Sequence, residues 1–426
     1  MALIFLSCYK IQVPLQYLYR ADVLTLLALT LACPGILRVA FSRYGLLMTT
    51  TLGVLLVYLL IGHGDQRLGK SVSIMAYGFA CFFVGFRMSI VRNRRYHLIF
   101  LSGILLFYTI IAVWDMLSID YHFEYGVSRK DMGYAMEMGD DLNPLIMHFP
   151  LLAFVVIAGM ALYDWKSFMV RVVVIFCQIL LSVAVVISTF SAAVIILLAG
   201  LTCIVAFSAF AGRVKIRRLL LVTILISSIG GGFLYTVKHS DPTSQSAMKG
   251  ERVLNLFTLL PSDDNFIETL DEISGTRVTL ARMSLRGFAE SPFFGIGDRE
   301  ADYEYIGGHS GVFDTMSYYG IVGAIPLWGF LIGWTIVSLV NLRNEGQSWF
   351  NIATVSLFMT FIASCVLNPY VLHGTIDYLV FFMGGACCGR HCFGKRLRAM
   401  SRHGNPSKNP SKKAMVPTFE FGASQR

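Results

Sequence analysis

Apolar runs of about 20 residues recur along almost the whole chain with short polar connections between them, and that is the length a helix needs to cross a bilayer. Hydrocarbon offers no partner to backbone N–H and C=O groups, so such runs settle as helices, which pair their own. The pattern predicts spans at residues 21–37, 44–61, 72–90, 98–117, 145–162, 168–188, 192–211, 219–237, 318–340, 350–368 and 376–392. Residues 1–19 offer a twelfth. Lys10 in their middle costs roughly 2.5 to 3.5 kcal/mol, so this segment reads equally as a span or as a helix lying on the surface. The expected fold is therefore all-α, a polytopic transmembrane helical bundle of 11–12 spans with one large and one medium extracytoplasmic loop.

Two polar stretches are too long to be simple connections: residues 118–143 and residues 238–317. They divide the chain into N-terminal transmembrane helices (1–237, with the outer loop 118–143), a large outer segment (238–317), C-terminal transmembrane helices (318–392) and a basic tail (393–426). Within the large segment, Pro261-Ser262 opens an acidic stretch with Asp263, Asp264, Glu268, Asp271 and Glu272. Ser274 then serves as an N-cap, and Pro292, which donates no hydrogen bond and pushes Ser291 out of helical geometry, closes a helix expected over 276–290. Arg282 and Arg286, four apart, share a face of that helix. Arg277 falls in its first turn, where a cation opposes the helix dipole and is better explained by an anion that it holds. Phe293-Phe294-Gly295-Ile296-Gly297 follows as a glycine-bearing turn, then an acidic stretch to Tyr305, then His309 shortly before the ninth span.

Composition agrees with lipid as the main solvent: 55% of residues are hydrophobic, 14% are charged and mean hydropathy is +0.64. The net charge of +9 invites a nucleic-acid reading, but the basic residues fall on alternate loops. Arg38 with Arg43, Arg92 to Arg95, Lys166 with Arg171, Arg213 to Arg218, Arg343 and the tail from Lys395 to Lys413 mark one side, which the positive-inside rule makes cytoplasmic. Loops 62–71, 118–143, 189–191 and 238–317, and the turn after Asn368-Pro369-Tyr370, then face outward, so both long loops share a side. No nucleic acid is expected. Leu6-Ser7-Cys8 has the outline of a lipoprotein cleavage site, but too few apolar residues precede it. None of the nine cysteines falls in a long outer loop, so no disulfide framework is expected there. Cys387, Cys388, His391 and Cys392 match no zinc spacing and read as small residues ending the last helix. Arg87, Asp115 and Asp377 sit near span ends, within reach of an interface, and Gly230-Gly231-Gly232 in the eighth span permits close helix approach or local distortion.

Arginine offers a fixed charge and a planar fork suited to phosphate oxygens, so a cluster of arginines can hold a lipid diphosphate and stabilise it as a leaving group. Histidine takes a proton near neutral pH. Arg277, Arg282, Arg286 and His309 together suit sugar transfer from a lipid diphosphate to a hydroxyl. Asp263-Asp264 are adjacent rather than alternating, so neither metal nor other cofactor is indicated.

Ser274-Gly275-Thr276-Arg277, Glu290-Ser291-Pro292-Phe293-Phe294-Gly295-Ile296-Gly297, His309-Ser310-Gly311-Val312-Phe313-Asp314 and Tyr319-Gly320-Ile321-Val322-Gly323 resemble, in order and spacing, the signature of the bacterial O-antigen polymerase and O-antigen ligase superfamily. A fainter match is Arg129 followed by Asn143-Pro144. The resemblance implies a membrane-embedded glycosyltransferase using undecaprenyl diphosphate-linked oligosaccharide, with His309 as catalytic histidine and Arg277 as a catalytic, diphosphate-binding arginine. Arg282, Arg286 and Arg129 are further candidates for the diphosphate, and Asp314 reads as a helix-start residue. One departure stands out: many relatives carry Ser-Arg where this chain has Ser191-Ala192.

The implied enzyme is an inverting, metal-independent polymerase of a surface polysaccharide, O-antigen or exopolysaccharide. It sits in the bacterial inner membrane with its large loop periplasmic and its C-terminus cytoplasmic. Its partners are the lipid bilayer, a chain-length regulator and a flippase. Polymerase is preferred because His309-Ser310 with Phe313-Asp314 is closer to polymerase members. The alternatives are a ligase transferring finished glycan to lipid A core, and a non-enzymatic transporter of lipid-linked glycan. The transporter would be expected to place polar residues at mid-bilayer depth, where few stand.

Overall fold

The computed structural model describes residues 35–61, 66–90, 277–297, 310–345, 349–367 and 375–403, with single helical residues between 172 and 239. Seven helices are defined: α1 (Gly35–Ala40), α2 (Leu46–Leu60), α3 (Gln66–Ile90), α4 (Arg277–Glu290), α5 (Gly311–Glu345), α6 (Trp349–Leu367) and α7 (Thr375–His403). No strand occurs among the described residues. Ser71–Ser89 within α3 and Gly311–Asn344 within α5 are long and apolar enough to cross a membrane. The expected spans at 98–117 and 145–162 lie outside the described residues, those at 168–188, 192–211 and 219–237 are described at scattered helical residues only, and most of 21–37, loop 118–143 and residues 404–426 also lie outside.

The closest packing joins α3 to α7. A Cβ on Gly85 would strike the Phe382 carbonyl, one on Gly385 the Phe82 carbonyl and one on Gly389 the Phe86 carbonyl, so the two backbones touch where Gly385 and Gly389 stand four apart. Without a hydrophobic drive between helices in lipid, such small-residue contact is what lets dispersion hold a pair. Ser89 Oγ adds a bond of 2.7 Å to the Ala386 carbonyl. At Gly230 and Gly231 an added Cβ would meet nothing within 4 Å among the described residues.

Helix α5 is the hub, touching α2, α4, α6 and α7. Its Trp334 stacks on Phe82 of α3 at 5.2 Å and packs against Phe330, Phe358 of α6 and Phe381 of α7, above Gly384, whose missing side chain makes room for the indole. Toward the basic ends of α5 and α7 the core turns polar. Asn341 Nδ2 donates to the Cys387 carbonyl at 3.0 Å, His391 Nδ1 meets Asn341 Oδ1 at 2.8 Å and Ser338 Oγ lies 3.1 Å from Cys387 Sγ. These residues are buried and knit α5 to α7. No group of three metal-ligating side chains exists among the described residues.

Helix bounds follow the apolar runs, with the largest differences at one end each of α3, α5 and α7. Helix α3 starts at Gln66, ahead of the run at 72, α5 starts at Gly311 rather than 318, and α7 continues to His403, beyond 392. In each case polar residues extend a helix past the part that hydrocarbon demands.

Candidate active site

Helix α4 begins at Arg277, one residue from its expected start, and ends at Glu290 before Pro292. Ser284 and Gly287 are buried, while Arg282, Leu285, Arg286, Ala289 and Glu290 are exposed. Arg282 and Arg286 thus share one open face, as their spacing requires.

The chain then turns at residues 292–297 and docks on a break in α5. Gly320 stands at φ 57°, ψ −166°, outside helical geometry, and divides α5 into two helices. In an unbroken helix Ile321 and Val322 would donate to the carbonyls of Ser317 and Tyr318. Here those four groups are exchanged with the turn. Ile296 N–H donates to Ser317 O at 2.9 Å and Gly297 N–H to Tyr318 O at 3.2 Å, while Ile321 N–H donates to Pro292 O at 2.8 Å and Val322 N–H to Phe293 O at 3.1 Å. The break therefore leaves none of the four unpaired, which is the condition for irregular backbone at membrane depth.

Glycine is required on both sides of this contact. Gly295 at φ 74° faces the Tyr318 carbonyl, and Gly320 faces the Phe293 carbonyl, each at a distance that a Cβ would close. The released Tyr319 carbonyl accepts from Tyr58 Oη at 3.1 Å, and Tyr319 Oη lies 3.0 Å from Ser71 Oγ, which ties the break to α2 and α3. Pro292-x-x-Gly-x-Gly and Gly-Ile-x-Gly are thus two halves of one structural unit.

Upstream of the break, the half-helix 311–319 folds sharply back. Trp328 Nε1 donates to Thr315 Oγ1 at 2.9 Å, although thirteen residues of straight helix would separate them by about 20 Å. Asp314, 5% exposed, lies in the first turn, where its charge complements the helix dipole. Its Oδ1 accepts from Ser284 Oγ of α4 at 2.6 Å and its Oδ2 from the Ser310 N–H at 3.1 Å. The carboxylate therefore ties the arginine-bearing helix to the residue following His309. Ser310 Oγ, in a residue 6% exposed, finds no hydrogen-bond partner among the described residues.

Residues 176–328 match a family model described as O-antigen ligase. Over that stretch the chain is similar to this family, in keeping with the resemblance to the O-antigen polymerase and ligase superfamily carried by its motifs. The match takes in α4, the 292–297 turn and α5 as far as Trp328, whose indole closes the fold of the half-helix. Helices α1–α3, α6 and α7 lie outside it. No curated protein sequence matches the chain.

Arg277 stands at the head of α4, with Arg282 and Arg286 exposed along it. His309 and Arg129 lie outside the described residues. The structure adds two polar residues to the site's framework, Ser284 and Asp314, that joining α4 to α5 makes apparent. A serine inside an amphipathic helix and an acid in a first turn gave no signal of being partners. Asp314 was legible only as a helix-start residue, and it is one.

Proposed function

We propose that the protein is a membrane glycosyltransferase that polymerises undecaprenyl diphosphate-linked repeat units of a surface polysaccharide, O-antigen or exopolysaccharide, at the outer face of the inner membrane. The observation that carries this reading is the family match over 176–328, which contains α4, the glycine turn and the broken helix. In the proposed topology 11–12 spans hold loop 238–317 in the periplasm and the C-terminus in the cytoplasm.

In the proposed reaction an acceptor sugar hydroxyl attacks the anomeric carbon of the donor glycan. The bond from that carbon to the diphosphate oxygen breaks, and the configuration inverts. His309 takes the hydroxyl proton as general base. Arg277, with Arg282, Arg286 and Arg129, neutralises the charge that gathers on the departing undecaprenyl diphosphate. The latch from Ser284 through Asp314 to Ser310 supports the idea that histidine and arginines act as one unit, because it joins their two carriers.

His309→Ala, inserted at the normal level, is expected to leave single repeat units unpolymerised, as read from the ladder of glycan lengths. Normal chain lengths in that variant would end the assignment. An alkaline phosphatase fusion near Asp264 is expected to be active; an inactive one would put the arginines and histidine in the cytoplasm and defeat the scheme.

The description of the matching family favours a second reading, transfer of the finished glycan to lipid A core. Deletion separates the two. A lost polymerase leaves short capped lipid, whereas a lost ligase leaves long glycan on its carrier.

A further inference from the structure

Leu285, Phe293 and Phe294 are 41%, 65% and 58% exposed, the two phenylalanines within a turn whose backbone is bonded to α5. Scattered exposed apolar residues mean little, but these adjoin a continuous face. Along α5 the exposed apolar side chains are Ile321, Ile325, Ile332, Ile336 and Leu339, with exposed Arg343 following. From Ile321 to Leu339 the helix rises about 27 Å, close to the roughly 30 Å of bilayer hydrocarbon. Ile321 thus marks the outer edge of the hydrocarbon.

The turn is bonded at that same level, through Ile321 and Val322. Its backbone is suited to this depth. The N–H groups of Gly295, Ile296 and Gly297 and the carbonyls of Pro292 and Phe293 all have backbone partners. Arg282 and Arg286 lie on the exposed side of the helix leading into the turn, two to three turns before Phe293, where lipid phosphates would meet them.

We propose that the 292–297 turn is sunk into the outer leaflet, with Phe293 and Phe294 among the acyl chains and Arg282 and Arg286 at the level of the headgroup phosphates. The bilayer is then the partner of this surface. The inference goes beyond the proposed chemistry and holds for polymerase and ligase alike; it rests on the proposed topology, in which α5 crosses the membrane with the 292–297 turn on its outer side.

The test uses the full-length protein in nanodiscs of phosphatidylethanolamine and phosphatidylglycerol that contain no undecaprenyl lipid. A fluorescent amino acid replaces Phe294 or, as a control, exposed Thr279 at the far end of α4. Lipids brominated at acyl carbons 6 and 7 are expected to quench position 294 at least about threefold more than aqueous iodide does, with the order reversed at 279. A label at 293 gives a second measurement of the same surface, independent of any local disturbance at 294. Iodide quenching at 293 and 294 as strong as at 279 would overturn the proposal. So would bromolipid quenching that develops only when undecaprenyl phosphate is added, since the surface would then hold the substrate's tail and not the bilayer.

Discussion

Two contacts in this molecule bring backbones together through glycine, and they use it for opposite ends. Between α3 and α7, Gly85, Gly385 and Gly389 let two intact helices touch, with every backbone bond kept inside its own helix. Between the 292–297 turn and α5, Gly295 and Gly320 let a helix be opened and its bonds traded with another segment. The first contact gains dispersion and is indifferent to what passes outside it. The second gains direction. It sets the half-helix that follows His309 at a sharp angle to the span, beside Trp328. Close packing holds α3 to α7, and broken packing turns the half-helix 311–319 away from the span.

The largest effect is expected at the intact pair. Gly385→Leu drives a side chain into the Phe82 carbonyl with rigid backbone on both sides, a cost of about 3 kcal/mol or more. Its amount in membranes should fall severalfold by immunoblot. A variant that accumulates and melts like the parent would show that α3 and α7 are not pressed together.

Gly320→Ala strikes the other contact. It forces a Cβ into φ 57° against the Phe293 carbonyl, a strain of about 1 to 3 kcal/mol, but the helix has a release in straightening. We therefore expect insertion near the normal level with glycan polymerisation lost, and with hydrogen-exchange protection lost at the Ile296 amide. Retained protection together with normal chain lengths would mean that the break tolerates a side chain.

Asp314→Ala should cost about 1 to 2 kcal/mol by leaving the buried Ser310 N–H without its acceptor and the Ser284 hydroxyl with only the long bond to the Leu280 carbonyl at 3.4 Å, and should shorten the glycan ladder. Asp314→Asn, which keeps the shape and one acceptor, should recover much of both. Equal defects in the two variants, measured by melting temperature and chain length, would assign the role to the charge rather than the geometry.

The smallest effect is expected at Ser310. Removing a buried hydroxyl that has no hydrogen-bond partner among the described residues should leave the stability of Ser310→Ala, read from its melting curve, within about 0.5 kcal/mol of the parent, or slightly raise it. A large loss of stability would show that the hydroxyl is bonded within the fold.

Among the described residues, much of the helical layout is legible because one force writes it plainly. Runs at 44–61 and 350–368 became Leu46–Leu60 and Trp349–Leu367, and the proline after Ser291 marked the end of α4. What hydropathy does not encode went unread. The half-helix 311–319 is too polar to register as a span, and the tail of α7 to His403 lies where lipid exerts no demand. The role of Gly385 and Gly389 is not legible either, since sequence shows that a helix can be approached but not what approaches it. The arginines of α4 could be placed on one face from their spacing alone. That Ser284 and Asp314 join α4 to the start of α5 could not, because thirty residues separate them and neither is unusual in its own helix.

The exchange at Gly320 also bears on the order in which the chain is assembled. The 292–297 turn is synthesised before α5, yet its four backbone partners exist only once residues 317–322 have emerged. During insertion α5 has a self-sufficient alternative, the straight rod in which Ile321 and Val322 bond to Ser317 and Tyr318. Where that rod forms first, the mature geometry displaces it by docking the turn, a step that follows placement of the span. A protein arrested before that step would be fully inserted, correctly threaded and inactive.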